Sequence, residues 1–403
     1  SLSHQLLPPP PAQPYGLALA VNSWHNRCMI CGDCFYIWQS KDWPDWQFDL
    51  AAVAGPLAEV SLLQGRLLGR LAGVGLGLQK QADLEILTNE VVKSSEIEGV
   101  RLDIQSVRSS IALKLGVDIG ALAPSDKYTD GVVDMVLDAT SNYMEALTLE
   151  RLLGWHRALF PSGYSGMFKI TVGAFRKDVT GPMQVVSGPV GRQRVHFEAP
   201  PAERLEVEIQ QFLDWVNSEQ GLHPLIKAGL GHLWFVTLHP FEDGNGRIAR
   251  AIGDMLLARA DNSPHRFYSL SSQIQRERKS YYDILESTQK GSMDVTNWLF
   301  WFLDTLNKAI AGAFADLESV LTKARFWQHW ALVSPRLNAR QIKMLNMLLE
   351  GFKGKLTTSK WAIINKCSQD TALRDINDLV SLGILQISKE KGRSTSYLLA
   401  ELP

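Results

Sequence analysis

Hydrophobic residues recur at three- and four-residue spacing along most of the chain, a pattern that predicts a mainly α-helical protein. The spacing becomes regular at about residue 50 and continues to about residue 115. A second segment, residues 225–238, is apolar on nearly every face and predicts a buried helix. We expect this helix to end at His239, because Pro240 disfavours a helical conformation in the residue before it. The leucines that define the first stretch are Leu62, Leu63, Leu67, Leu68 and Leu71.

Two parts of the chain depart from the helical pattern. Residues 173–201 place Gly and Pro around short β-branched runs, which predicts a β-hairpin. Near the C-terminus, two helical stretches are followed by "LQISKEKGRSTSYLL", residues 385–399. This last stretch predicts a pair of strands.

The composition limits what kind of protein this is. At 403 residues the chain is long enough for two or three domains, and its apolar fraction of 45% is ordinary for a globular protein. The net charge of −1 means that any nucleic-acid contact must come from a local patch. No apolar run is long enough to span a bilayer, and "YGLALAV" near the start lacks the basic residue of a signal peptide. We therefore expect a cytoplasmic protein without a membrane span.

Three of the four cysteines lie close together near the start of the chain. With His25 they form a spacing that suits zinc or an iron–sulfur cluster. The alternative is a Pro-rich leader, residues 1–35, that carries thiols without binding a metal. We favour the leader, because zinc sites usually join two separated pairs of ligands. The cysteines are Cys28, Cys31, Cys34 and the distant Cys367.

The sequence "HPFEDGNGRIAR", residues 239–250, places a loop before a helical pattern. Free N–H groups at a helix start, together with the helix dipole, make an anion site. Gly244 and Gly246 permit close backbone approach, and Arg247 and Arg250 can bind phosphate oxygens through paired hydrogen bonds. These residues indicate a phosphate-binding loop.

Two further residues of this stretch suggest chemistry on the phosphates. Asp243 can bind a magnesium ion that bridges phosphate groups. His239, whose ordinary pKa is about 6.5, can take a proton from a hydroxyl near pH 7. A single histidine at a helix end is more often structural than catalytic. The combination within one loop is what indicates a polyphosphate nucleotide and a histidine general base.

The same residues match the signature of the Fic family, H-P-F-x-D-G-N-G-R-x-x-R, at every fixed position. The chain therefore resembles a family whose members mostly transfer AMP from ATP to a Ser, Thr or Tyr hydroxyl of a protein. The resemblance implies a Fic-type helical core that uses ATP and Mg²⁺. It implies His239 as the general base, Asp243 as the magnesium ligand and Arg250 as the residue that holds the γ-phosphate. The residues that it implies for the anion cradle are Gly244, Asn245, Gly246 and Arg247.

The sequence "SSEIEG", residues 94–99, resembles the inhibitory motif of regulated Fic proteins. Ser94 and Glu98 are four residues apart, so they share one helix face, and Gly99 is typical of a helix end. In that resemblance Glu98 pairs with Arg250 and keeps the γ-phosphate of ATP from its productive place. We therefore expect a self-inhibited enzyme.

Two other stretches resemble parts of the same family. Residues 184–196 resemble the flap, whose exposed edge would pair with a target segment through Val185, Val186 and Ser187. Tyr281 or Tyr282 is a candidate for contact with adenine, although aromatic residues at helical spacing more often belong to a core.

The expected domain organisation is a leader, an N-terminal helical region with the inhibitory helix, a Fic domain and a C-terminal winged helix-turn-helix. From Arg336 to the end, 11 basic and 6 acidic residues give a charge of 11 − 6 = +5. However, the would-be recognition helix, residues 369–381, carries three aspartates and one arginine, which disfavours phosphate contact. The expected boundaries are 1–35, 36–114, 115–322 and 323–403.

Three functions stay open from the sequence. The favoured one is a protein adenylyltransferase that modifies a protein with an exposed hydroxyl, and also itself. The second is a DNA-bound regulator whose Fic core senses a nucleotide, and the third is a Fic enzyme that uses another nucleotide donor or removes AMP. A protein-binding or dimerising role for the C-terminal region is at least as good an expectation as DNA binding, and a homo-oligomer is possible.

Overall fold

The computed structural model describes residues 36–73, 76–119, 122–179, 181–189, 192–219, 221–333, 337–349, 352, 354–388 and 395–400. Within these ranges the protein is mainly α-helical, as the periodicity predicts. The helices are α1 (Leu50–Ala72), α2 (Leu76–Ile97), α3 (Ile104–Leu115), α4 (Lys127–Ser141), α5 (Leu149–Leu159), α6 (Leu205–Asn217), α7 (Pro224–Leu238), α8 (Asn245–Asp261), α9 (Leu270–Arg276), α10 (Arg278–Gln289), α11 (Thr296–Val333), α12 (Ala339–Leu349), α13 (Thr358–Asn365) and α14 (Gln369–Ser381).

The strands form short antiparallel pairs. The pairs in the described ranges are β1 (Tyr164–Ser165) with β2 (Phe168–Lys169), β3 (Gln184–Ser187) with β4 (Arg194–Glu198), and β5 (Leu385–Ile387) with β6 (Tyr397–Leu399). The hairpin predicted within residues 173–201 is therefore present as β3 and β4, with a bulge between Val185 and Val186.

The chain divides into two compact units, Ser1–Ala313 and Phe314–Pro403. In the first unit, α7 lies at the centre, and its residues 225–238 are buried apart from Lys227. This burial explains why the segment is apolar on nearly every face. Helix α8 packs along α7, and α2 packs against α8, α3 and α9.

The leucine pattern of α1 is confirmed only in part. Leu67 and Leu71 are buried, whereas the side chain of Leu62 is 57% exposed. Helix α1 therefore buries a narrower stripe than the spacing of its leucines predicts. None of the helices in the described ranges has the length and apolar content needed to cross a membrane.

The second unit has its own core, built around Trp361, Leu345 and Ile376. Its elements follow the order of three helices, α12 to α14, and a pair of strands, β5 and β6. The sequence pattern predicts α12, α14 and the strand pair but not α13. The winged helix-turn-helix assignment and the four domain boundaries stay predictions.

Candidate anion-binding site

The loop between α7 and α8 fixes the ring of His239. The helix ends at Leu238, and His239 takes the left-handed conformation with φ 48°. Its Nδ1–H donates to the carbonyl oxygen of Val236 over 3.2 Å, while its Nε2 is buried and has no hydrogen-bond partner in the described part of the chain. Burial, with the positive charge of Arg176 nearby, lowers the pKa of His239 to about 4. His239 is therefore neutral near pH 7, with the lone pair of Nε2 available to accept a proton.

Asn245 closes the loop. Its side-chain oxygen accepts from the backbone N–H of Phe241 over 2.9 Å, and its side-chain nitrogen donates to the Phe241 carbonyl over 2.8 Å. Gly244 precedes the helix with φ 88°, and a Cβ there would lie 2.9 Å from the ring of Phe160. The sequence predicts Asn245 and Gly244 as parts of an anion cradle. In the structure, Asn245 fixes the loop through its hydrogen bonds to the Phe241 backbone, and Gly244 allows the loop to pass close to Phe160.

The first turn of α8 brings backbone N–H groups and two buried arginines together. The first N–H groups of an α-helix have no acceptor inside the helix. Arg247 donates to the hydroxyl of Tyr128 and lies over the ring of Phe160, and Arg250 is 2% exposed. Arg247 Nε and Arg250 Nη1 are buried and have no partner among the described residues. Buried donors of this kind gain a partner when an anion binds.

Asp243 lies at the edge of the same loop. Its carboxylate accepts from the Ser165 hydroxyl and from the backbone N–H of Gly244, and one oxygen is 3.6 Å from Arg247. In the described ranges, three or more metal-binding side chains do not cluster anywhere. Mg²⁺ bound to a nucleotide commonly uses one or two carboxylates together with phosphate oxygens. A single part-exposed carboxylate beside an anion site fits that requirement.

The C-terminal end of α2 covers the start of α8. Arg250 donates to the Ser94 hydroxyl and carbonyl, both over 2.9 Å, and to Glu98 Oε1 over 2.8 Å. The predicted contact of Glu98 with Arg250 is therefore present. Glu98 Oε1 also lies so close to the helix start that a Cβ on Gly246 would be 2.1 Å from it. A carboxylate thus occupies space directly above the first turn of α8.

The surroundings of Arg250 favour its positive charge. Burial opposes the charge on Arg250, but Glu98, Tyr281 and Tyr282 outweigh it and raise the pKa of the guanidinium.

Gly99, with φ 80°, follows Glu98 and turns the chain away, as its predicted role at the helix end requires.

Tyr281 lies away from the surface. It is 1% exposed, and its hydroxyl is 2.9 Å from Nε2 of His232. Tyr282 is partly exposed, and its hydroxyl donates to the carbonyl of Ile97. The predicted contact of Tyr281 with adenine is therefore not favoured by its burial, and Tyr281 contributes instead to the surroundings of Arg250.

His156 is a buried residue of the site that sequence reasoning missed. It accepts from the backbone N–H of Gly173 at Nδ1 over 3.0 Å, so its Nε2–H donates to the Asp243 carbonyl over 3.2 Å. The ring stacks on Phe241 at 4.1 Å between centroids, and burial lowers its pKa to about 4. Neutral His156 therefore stabilises the loop through its contacts with Asp243 and Phe241. Nothing local in the sequence connects it with a loop more than eighty residues away.

The remaining predicted residues lie elsewhere or outside the described ranges. Val185, Val186 and Ser187 all lie on β3. Residues 1–35, including Cys28, Cys31 and Cys34, are not among the described residues, so the leader and the metal alternative stay predictions.

The fold and the loop geometry define a mainly α-helical protein with an anion-binding helix start beside a neutral histidine. Residues 146–257 match the family model Fic/DOC family, and residues 36–117 match a domain of unknown function, DUF4172. Residues 146–257 therefore form a Fic domain by sequence as well as by the geometry of the loop.

The curated relatives share about half of this chain. Protein adenylyltransferase Fic of Culex quinquefasciatus is 28% identical over 225 residues, which cover 53% of this chain and 39% of the relative. The protein of the same name from Drosophila mojavensis is 27% identical over 240 residues, covering 57% and 42%. The chain therefore spans about two fifths of the length of these relatives.

A solved structure supports the fold. A Fic family protein from Desulfovibrio desulfuricans G20 superposes with a TM-score of 0.52 at 19% identity, covering 89% of this chain and 98% of that chain. This likeness confirms the Fic-type helical fold. At this identity it carries no information on substrate.

Proposed function

We propose that this protein is a nucleotidyltransferase that moves AMP from ATP to a hydroxyl of a target protein, and that Glu98 inhibits it. The observation that carries the proposal is the Glu98 carboxylate above the first turn of α8, bound to Arg250 and against Gly246. A helix start with two buried arginines is built for anions, and here a side-chain anion lies where a phosphate would bind. The names of the relatives, which are adenylyltransferases, support the same activity.

The chemistry follows from the state of His239. The target hydroxyl oxygen attacks the α-phosphorus of ATP and its proton passes to Nε2 of His239, while the bond from the α-phosphorus to the bridging oxygen breaks and pyrophosphate leaves. Because Nδ1–H donates to the Val236 carbonyl, Nε2 is the nitrogen free to accept. The Arg247 and Arg250 guanidiniums and the α8 N–H groups would stabilise charge on the phosphates.

Asp243 is the residue we assign to magnesium. A bound Mg²⁺ would neutralise charge on the phosphates during transfer. The Ser165 hydroxyl and the Gly244 N–H hold the carboxylate in position for that task.

Inhibition follows from competition for Arg250. While Glu98 holds one nitrogen of the guanidinium, the γ-phosphate of ATP cannot take that position, and its negative charge would lie against the carboxylate. ATP would then bind, if at all, with its α-phosphate displaced from His239. Removing the carboxylate frees both Arg250 and the space over Gly246.

Labelled ATP tests the proposal directly. The label is placed at the α-phosphate in one reaction and at the γ-phosphate in another, and transfer to the protein itself and to a lysate is followed. Glu98→Gly should transfer α-label, and Glu98→Gly combined with His239→Ala should not. Glu96→Gly is a matched control, because it places glycine two residues before Glu98, in the last turn of α2, where Glu96 pairs with Lys93 and not with Arg250.

The other outcomes separate the alternatives. Transfer of γ-label would make the protein a kinase. No label from any variant, with ATP still bound, would reject AMP transfer and favour another nucleotide donor or a nucleotide sensor. Equal transfer by wild type and Glu98→Gly would reject inhibition by Glu98.

A further inference from the structure

A chain of side-chain contacts joins the β3–β4 hairpin to α10. The Ser187 hydroxyl on β3 is 2.5 Å from Nε2 of His196 on β4. Nδ1 of the same ring is 2.6 Å from Oε2 of Glu286 on α10. His196 therefore bridges the two strands and the helix with its two ring nitrogens.

Glu286 is the charged residue in this series of side-chain contacts. Its other oxygen accepts from Arg194 of β4 over 2.7 Å and from Lys290 of α10 over 2.8 Å. Partial burial opposes the negative charge, but the hydrogen bonds from Lys290, His196 and Arg194 outweigh it and lower the pKa of Glu286 to about 2. The carboxylate is ionised at any pH at which the enzyme would work. Hydrogen bonds to such a group are among the stronger ones in proteins.

The opposite face of the hairpin is held by apolar contacts. Successive residues of a strand point to opposite faces, so Phe197 and His196 face different ways. Phe197 is buried and packs edge-on against Tyr36 at 5.4 Å between centroids, in a cluster that includes Trp38. The hairpin is thus fixed from both sides. In the described ranges it has two strands, so the other edge of β3 is not paired with a further strand.

We propose that Ser187, His196 and Glu286 are positioning residues that hold the edge of β3 in place for the target segment. The proposal rests on the proposed function and deepens it. If a target strand adds to β3, main-chain hydrogen bonds align its hydroxyl with His239 only if β3 itself is fixed. The bridge through His196 limits how far β3 can shift relative to α10, the helix that also carries the Arg250 neighbours Tyr281 and Tyr282.

The test compares Glu286→Gln and His196→Ala in a Glu98→Gly enzyme. The acceptor is a second copy of this chain carrying His239→Ala, which presents the same hydroxyls and cannot transfer AMP in the proposed mechanism. We expect the KM for the acceptor to rise about tenfold while the KM for ATP and kcat stay the same, since one charge-assisted hydrogen bond is lost. Asp283→Asn is the matched control, because Asp283 lies on α10 and pairs with the exposed Lys279 instead of the hairpin.

Hydrogen exchange gives a second readout that needs no activity. The backbone amides of 184–187 and 194–198 should exchange about tenfold faster in both variants, with the amides of α7 and α8 unchanged. A fall in kcat with an unchanged acceptor KM, or unchanged exchange in the hairpin, would overturn the proposal. If the Glu98→Gly parent transfers no AMP, the proposed function fails, and the exchange experiment alone decides whether His196 and Glu286 anchor the hairpin.

Discussion

At the scale of single residues, Glu98 and Gly246 share a space that only one side chain can fill. A Cβ on Gly246 would lie 2.1 Å from Glu98 Oε1 and 3.3 Å from the Arg250 guanidinium. Glycine at this position is therefore required by the carboxylate as well as by any bound phosphate. The two requirements can be separated by a pair of substitutions.

We expect Gly246→Ala to lower the free energy of unfolding by about 1–3 kcal/mol, the usual cost of overpacking. In a Glu98→Gly background the clash with Oε1 is absent, so this cost should disappear. Alanine is also a better helix former than glycine, by about 1 kcal/mol. AMP transfer should stay absent in both, since the new methyl group still blocks phosphates. Urea unfolding of the four proteins in the cycle measures the coupling. An equal cost in both backgrounds would show that Glu98 does not occupy the space over Gly246.

The protonation state of His239 gives a prediction in pH. The folded-state pKa of about 4 lies below the ordinary value of 6.5, so the imidazole stays neutral as the pH falls through 6.5 and gains its proton only near pH 4. Glu98 raises this pKa, so its removal lowers the value further.

The acid limb of kcat/KM for Glu98→Gly should therefore lie at or below about pH 4, well below that of an ordinary histidine. The measurement is α-label transfer at saturating magnesium, with folding checked at each pH by fluorescence. A limb at about pH 6.5 that is absent from the folding control would mean that His239 is not buried as the structure has it.

Much of this site is readable from sequence, because its residues are neighbours in the chain. The order His239, Asp243, Arg247 and Arg250 places one loop and one helix turn together whatever surrounds them. The contact of Glu98 with Arg250 follows from a resemblance and not from spacing. The sequence does not indicate His156 as a residue of the site, since the fold and not the chain order brings it against the loop.

At the scale of elements, α2 and α8 meet through a ladder of polar contacts. Glu90 and Ser94 lie on α2, and Glu98 follows its last residue at the same four-residue interval. The three side chains face Asp254, Arg250 and the first turn of α8. Glu90 also accepts from the Ser269 hydroxyl and from the backbone N–H of Ser271. The contact that we propose to be inhibitory is therefore the last of a row of contacts between α2 and α8, and loss of Glu98 alone leaves the others in place.

The Glu90–Asp254 step of the ladder should depend on pH. Burial and the neighbouring Glu90 outweigh the positive charge of Arg266 and raise the pKa of Asp254 well above its ordinary value, so this carboxyl keeps its proton to a higher pH in the folded protein than in the unfolded chain. The resulting stability is complete below the unfolded pKa of 3.8 and is lost as the pH rises through the folded pKa. Glu90→Gln removes the like charge and should reduce this loss.

As the pH rises from about 5 to about 8, we expect wild type to lose more free energy of unfolding than Glu90→Gln loses. Urea unfolding at both pH values measures the difference. Glu85→Gln is the control, because the exposed Glu85 lies on α2 and pairs with Arg108 instead of with α8. A difference that is independent of pH would contradict a proton held between Glu90 and Asp254.

The elements themselves were predictable where one periodicity is long and regular. α7 shows this best, since a fully buried helix needs apolar residues on every face. α13 was missed because its eight residues, Thr358–Asn365, are too few to show a period. Likewise Leu62 is exposed although its spacing fits the core stripe. The spacing of leucines shows that a helix is amphipathic, but it does not show how wide a face the rest of the fold covers.

At the scale of the whole molecule, the unit that contains the Fic domain is followed by a separate C-terminal unit, whose surface bears on the choice between DNA and protein partners. The three aspartates of α14 counted against DNA, but they do not all face solvent. Asp375 accepts two hydrogen bonds from Arg340, which hold its pKa below the ordinary value against partial burial, and Asp378 accepts from Gln341. Asp375 is therefore buried, whereas Asp370 and Asp378 stay exposed beside the single exposed Arg374, so the surface of this helix is still slightly acidic.

The surface of the C-terminal unit is apolar in places. The exposed fractions are 76% for Ile363, 59% for Ile387 and 41% for Leu373. Exposed apolar side chains on neighbouring elements favour a protein contact over a nucleic-acid contact, which needs clustered Lys and Arg. The basic residues Lys389, Lys391 and Arg393, which the sequence assigns to a wing, lie outside the described residues.

We therefore expect no binding of a random duplex of about 20 base pairs at either about 50 mM or about 200 mM salt, because non-specific DNA binding depends on released counterions and so on clustered positive charge. A gel-shift titration of the full chain measures it. Binding at low salt that weakens steeply at high salt would contradict the expectation. If alanine at Lys389, Lys391 and Arg393 then abolished that binding, the contact would belong to the predicted wing, and the regulator hypothesis would regain support over a protein-binding role for this unit.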